Sequence, residues 1–371
     1  MSASAATPSS RLLGLDWLRG FAVLVMAECH VFNALLAPEY RGTTWFSVLN
    51  WMNGLVAPAF LLVSGGVMGM NLNNRWQDVV TRGAAWRKMW RRVGQIFVVA
   101  YLLHLPTPLL WQFFGARGPH LLELWTKMDI LQCIFGSLAL ILLLVPVTRR
   151  PEIHRIVCAA LGLVAATTTM GVDGWASGVH VPKWLMNYLW PTGVGKFPVV
   201  PWAAFPLLGV WLGPAIFSEK TVWRQTVRAL VAGAVFLLAA QFMRSRLPYD
   251  APFVFSRLGL VLVGLAGCCW LGTPKRGTEW ILQFGQLSLW SYTVHLIIVY
   301  GCGISLGLDT LLPLIKKWIA SALKMQPPSP GFTPLTTLFW LSCVLFVTAL
   351  VVKWRAKILQ RQKTVRIMPA K

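Results

Sequence analysis

The chain has 371 residues, of which 56% are apolar, only 12% are charged and 20 are tryptophan. A mean hydropathy of +0.61 excludes a soluble globular enzyme, a disordered chain and a secreted disulfide scaffold. The net charge of +22 does not indicate nucleic acid, because the basic residues lie between apolar runs, where positive-inside bias and anionic headgroups explain them.

The composition calls for an all-α polytopic membrane protein, with about ten transmembrane helices in one bundle. In chain order the expected spans are 17–37, 46–70, 93–112, 129–148, 156–172, 197–217, 229–243, 258–273, 284–305 and 335–352. A helix rising about 1.5 Å per residue needs roughly 20 residues to cross the hydrocarbon core, so 229–243 is short. Residues 1–10 read as a disordered leader. They carry no basic n-region, and Arg19 and Glu28 interrupt the following apolar run, which argues against a cleaved signal. Residues 11–352 read as one transmembrane domain, and 353–371 as a basic cytoplasmic tail on the lipid surface. With the N-terminus inside, the cytoplasmic segments hold twice as many Lys and Arg as the outer ones. Both termini are therefore expected in the cytoplasm, in a plasma or inner membrane. The seven cysteines are odd in number, lack a C-x-x-C pair and lie in apolar runs. They read as small buried side chains, with no metal site.

Ionisable side chains inside a bilayer cost about 2.5–3.5 kcal/mol each on insertion scales, so those present point to function. They are Asp16, Arg19, Glu28 and His30 on the first span, His104 on the third, Asp129 on the fourth and His295 on the ninth. At 100° per residue, Asp16, Arg19 and His30 share one face about 60° wide, and Glu28 lies on the other side. His30 stands about 21 Å above Asp16, which puts it in the outer half of the membrane. Asp129 and Gln132 fall near the same depth at the top of the descending fourth span. Arg87, Lys88, Arg91 and Arg92 gather at the inner mouth of the third, level with Arg19. Two different ends emerge, one cationic and one of imidazoles with a carboxylate. Each has a plainer reading: His104 bonds a carbonyl near Pro106, His295 packs, Asp129 starts a helix, and the cations set topology.

Five runs carry a resemblance. Arg11-Leu-Leu-Gly-Leu-Asp16-Trp-Leu-Arg19-Gly, with His30 fourteen residues after Asp16, resembles the first helix of the transmembrane acyltransferase superfamily. That superfamily includes the acyltransferase-3 family and the heparan-α-glucosaminide N-acetyltransferase-like family. Pro58-Ala-Phe-Leu-Leu-Val-Ser-Gly65 is similar to the second-helix run of both. Asp129-Ile-Leu-Gln-Cys-Ile134 and Phe197-Pro-Val-Val-Pro-Trp202 with Leu208-Gly209 resemble the glucosaminide branch. Ser288-Leu-Trp-Ser-Tyr-Thr-Val-His295 resembles a helix seen in both. The chain departs from the glucosaminide branch at Gly54, where that branch usually has Asp, and in lacking histidine over Glu39–Asn53. The R-x-x-R of the acyltransferase-3 branch fits loosely, as Lys88-Met-Trp-Arg91.

The resemblance implies transfer of an acyl group from cytoplasmic acyl-CoA, typically acetyl-CoA, to a sugar or related glycan-like acceptor. The acyl-CoA is a co-substrate, and no permanently bound cofactor is expected. Arg87, Lys88, Arg91 and Arg92 with Arg19 suit the phosphates of coenzyme A. His30 is expected to be the general base, with Asp129 orienting its ring or stabilising its imidazolium and Glu28 as the reserve partner. Asp16, Arg19, Gln132 and His295 are expected to support them. An acyl-histidine intermediate is the rival route. A secondary transporter or flippase using the His and Asp residues as a proton relay is the alternative function, and a structural or assembly protein the third.

Overall fold

A computed structural model describes residues 12–106, 112, 114–115, 118–168, 188–189, 196–247, 250–301, 306–323 and 331–367. The leader 1–10, Arg11, most of the 173–196 segment and the ends of several expected spans lie outside these residues. The principal helices are α1 (Leu13–Leu35), α2 (Thr44–Asn53), α3 (Val56–Asn74), α4 (Ala84–Leu103), α5 (Ile130–Leu143) and α6 (Pro151–Thr167). They are followed by α7 (Ala204–Phe217), α8 (Val222–Met243), α9 (Asp250–Leu271), α10 (Glu279–Gln286), α11 (Ser288–Tyr300), α12 (Leu308–Ala322) and α13 (Pro334–Ile367). The protein is an all-α polytopic membrane protein.

The expected count of ten spans is corrected here. Seven helical segments among the described residues are long and apolar enough to cross a membrane. The other three expected spans fail for separate reasons. The third takes in its own basic mouth: α4 begins at Ala84, so Arg87, Lys88, Arg91 and Arg92 ride on the helix instead of preceding it. The fifth, α6, has 17 residues, and the part of that expected span beyond 168 is not described. The ninth is broken. Leu287 leaves the helical region at φ −110°, ψ 34°, separating α10 from α11, and α11 ends after 13 residues at Gly301, whose φ is +73°. By contrast the short expected span at 229–243 is a 22-residue helix, α8. Its extra turns hold Arg224 and Arg228, both paired with the single carboxylate of Glu219 at 3.3 and 2.5 Å. Beyond residue 352 the helix of α13 continues through Ile367, so the basic segment is helical there.

Glycine governs how the centre packs. On α3, Gly65 lies against Pro206, Gly69 against Val210, and Gly66 against Gly209 and Gly213 of α7. A Cβ at Gly65 would strike the Pro206 carbonyl, and one at Gly213 the Gly66 backbone. Removing side chains at four-residue spacing lets two helix backbones touch, the main attraction open to helices that share an apolar solvent. Both α3 and α7 are accordingly mostly buried, whereas α8 and α13 turn most of their apolar side chains outward. The same device seats α1: Gly285 on α10 lies against the Asp16 carbonyl, and Gly20 against that of Ile281. This contact fixes the rotation of α1, and with it the wall on which Arg19 and His30 stand.

Candidate active site

Two cavities lie end to end along α1. The first, of about 220 Å³, is lined by Arg19, Lys88, Arg92 and Arg75 at its polar side and by Met26, Phe60, Ile134 and Tyr292 deeper in. The second, of about 720 Å³, is lined by His30, His104, Asp129, Tyr300, Lys127 and Lys196, among others. We call them the cationic and the imidazole chamber. They share three lining residues, Met26, Ile130 and Tyr292. Arg19, Met26 and His30 fall on one α1 face because seven and eleven residues are close to whole numbers of turns. One helix thus walls both chambers.

The cationic chamber gathers some of the expected cations. Lys88 and Arg92, four residues apart on α4, line it together with Arg19. Arg19 lies 3.9 Å from Asp16, its neighbour one turn earlier. Arg87 and Arg91 occupy the other face of α4, are exposed and do not line the chamber. The four cations expected together divide between two faces, because a helix separates i and i+1 by 100°. Arg75, which the sequence reading passed over, completes the set from the end of α3. Its only signal was its position directly after an apolar helix.

The imidazole chamber is arranged differently from expectation. Asp129 precedes the first residue of α5, as a helix-starting acid would, but its side chain does not cap that helix. Asp129 Oδ2 lies 2.8 Å from His104 Nε2. The ring that Asp129 orients is therefore His104, which donates to it, where the sequence suggested His30. The reason is local: His104 ends α4, where Pro106 forbids another turn, so its ring folds back and Nδ1 reaches the Ala100 carbonyl at 2.9 Å. Gln132, buried on α5, directs its amide to the same carbonyl at 3.5 Å and does not line the chamber. Both nitrogens of His104 thus face acceptors, and the ring satisfies both only as a double donor.

His30 has another partner. Its Nδ1 lies 3.2 Å from the Tyr300 hydroxyl, which also donates to the His30 carbonyl at 3.3 Å. Its ring sits 5.4 Å from that of His295 and edge-on to Tyr300 at 5.5 Å. His295 is fully buried, and its Nδ1 donates to the Ser291 carbonyl at 2.7 Å. Its Nε2 has no partner among the described residues and no exposure. Of the three imidazoles, only His30 both lines the chamber and keeps a nitrogen free of acceptors.

Glu28 lies off this face, as the helical spacing requires, and both its oxygens are buried. Tyr300 and Tyr292 were missed from the sequence. Only six tyrosines occur in the chain, and a hydroxyl inside an apolar run has to find a partner. That was the usable signal. Among the described residues no group of three His, Cys, Asp or Glu side chains is placed to hold a metal.

Fold and site together define a class: an all-helical membrane protein with two polar chambers meeting inside the bundle. A family model described as heparan-alpha-glucosaminide N-acetyltransferase, catalytic, matches residues 11–249. The chain belongs to this family, which places it among membrane acetyltransferases. Of the two families the motifs resemble, it is the glucosaminide one that matches. No curated protein matches the chain. The family match takes in α1 to α8 and stops before α11, which brings His295 and Tyr300 to the site.

Proposed function

We propose that the chain transfers an acetyl group from cytoplasmic acetyl-CoA to a hydroxyl or amine of a sugar or related acceptor. The observation that carries this reading is the pair of chambers, cationic on one side and imidazole-lined on the other, sharing Met26, Ile130 and Tyr292. Coenzyme A presents phosphate charges at one end and a thioester at the other. Arg19, Lys88, Arg92 and Arg75 hold the phosphates by charge-assisted bonds. The thioester then extends toward His30.

With the Tyr300 O–H given to the His30 carbonyl, the phenol oxygen accepts Nδ1–H, and Nε2 is left with its lone pair. His30 Nε2 takes the proton of the acceptor as its oxygen or nitrogen attacks the thioester carbonyl carbon. The C–S bond breaks, and the imidazolium returns the proton to the departing thiolate. The products are acetylated acceptor and coenzyme A. Such a base contributes about 10²–10⁴-fold. Asp129 acts through His104, holding that ring as a fixed polar wall beside His30. Both are positioning residues. A cytoplasmic cationic chamber agrees with the tendency of Lys and Arg to stay on the inner side of a membrane.

The test uses purified protein in lipid nanodiscs with labelled acetyl-CoA and a panel of amino sugars and neutral sugars. The expected result is acceptor-dependent thiol release with label on the sugar. Absence of thiol release, combined with sugar uptake into proteoliposomes, would instead establish a transporter.

A further inference from the structure

We propose that α12 is an in-plane anchor, with its apolar face sunk into the lipid surface at the end of the bundle that carries His30. Its 15 residues make a rod about 22 Å long. The start of α12 abuts the end of α11, since a Cβ at Gly307 would meet the Tyr300 backbone. From its middle, Lys316 Nζ donates to the Gly331 carbonyl at 2.7 Å. The next residue, Phe332, exchanges backbone hydrogen bonds with Leu35 and Ala37 at the end of α1. The chain therefore leaves the bundle at Tyr300 and rejoins it at Phe332 at one level, and α12 does not cross.

Three faces of α12 differ. Leu312, Lys316 and Ala320 turn to the protein, Leu312 in a buried cluster with Val31, Leu35 and Val299. Leu311, Leu314, Ile315, Trp318 and Ile319 form a second stripe at spacings of three and four residues, and all five are exposed. Leu314, Ile315 and Trp318 reach 61%, 51% and 72%. Lys317 and Ser321 lie on a third, exposed flank. A helix lying in the interface beside a bundle needs this division, with one side for protein, one for acyl chains and one for water. Lipid is the occupant because the stripe continues the outward apolar surface of α13. There Leu335, Leu338 and Phe339 are exposed just after the Gly331–Phe332 contact. The depth agrees as well. Val31 and Leu35 hold Leu312 within about one turn, roughly 6 Å, of the end of α1. Interfacial helices sink their apolar face about 5–10 Å into the headgroup and acyl boundary.

The experiment places a photoreactive p-benzoylphenylalanine singly at Trp318, Ile315 or Lys317 of the full chain in phosphatidylcholine vesicles. A fourth protein carries it at Phe339, on the outward face of α13, as the reference for lipid contact. After irradiation, peptide mass measures lipid adducts. Trp318 and Ile315 are expected to give several-fold more lipid adduct than Lys317, close to the yield at Phe339. Two positions on the apolar face keep the test decisive if one substitution prevents folding. Crosslinks from this face to a second copy of the chain would overturn the anchor in favour of a dimer interface. Lipid adduct no greater than at Lys317 would overturn it by showing the face in water.

Discussion

His30 is singled out by what its neighbours leave it. His104 has spent both nitrogens on Ala100 and Asp129, and His295 has its free nitrogen sealed in the core. Only His30 offers a lone pair to a cavity large enough for an acceptor. His30→Ala is expected to lower kcat by at least about 10²-fold with the donor KM nearly unchanged. His30→Gln keeps a hydrogen bond to Tyr300 but accepts no proton, so steady-state kinetics should show it almost as poor. Asp129→Asn should cost less, because it loosens His104 and leaves Nε2 of His30 in place. A larger loss in Asp129→Asn than in His30→Ala would reverse the assignment. The alignment of Asp16, Arg19 and His30 was legible from spacing alone, since it needs only the helical period. Which ring Asp129 would choose was not. That depends on where α4 stops and how its last ring folds back, which is a matter of packing between two helices 25 residues apart.

At the scale of elements, α4 shows how one helix divides its charges. Lys88 and Arg92 line the cationic chamber while Arg87 and Arg91 look away from it. Arg92→Glu should therefore raise the donor KM severalfold or more, and Arg91→Glu should leave it near wild type. Titration of thiol release against acetyl-CoA separates the two, and equal effects would mean that the cations act only through net charge. The α3–α7 crossing makes a stability prediction. Gly65→Leu drives a side chain into the Pro206 carbonyl, and overpacking of this kind costs about 1–3 kcal/mol or more. Gly264→Ala on α9, where nothing lies within 4 Å, should be neutral. Thermal unfolding in detergent checks the pair. The helices themselves were largely visible as apolar runs, and α1, α3 and α7 fall where expected. The break at Leu287 has a local signal, Gly285 with Gln286 and Ser288 on either side of the leucine, but the apolar run over 284–305 outweighs it. The extra length of α8 was hidden for the opposite reason. Arg224 and Arg228 read as loop, whereas both sit on the helix and pair with Glu219.

For the whole molecule, composition was enough to give an all-α membrane protein, because few other structures satisfy their backbone in lipid. The number of spans was harder to read, since length and hydropathy fail wherever a helix carries its own cations or breaks midway. The two-chambered interior was foreshadowed by the separation of cations from imidazoles along the chain. That Met26, Ile130 and Tyr292 would line both chambers was not, because they come from three helices distant in sequence. The central claim is that donor and acceptor meet through one passage from opposite faces. It is tested most directly in sealed proteoliposomes, with an amino sugar trapped inside and labelled acetyl-CoA outside. Molecules with the cationic chamber outward should deposit labelled acetyl-sugar in the lumen, while coenzyme A accumulates outside. Acetylation only when donor and acceptor share a compartment would contradict the account.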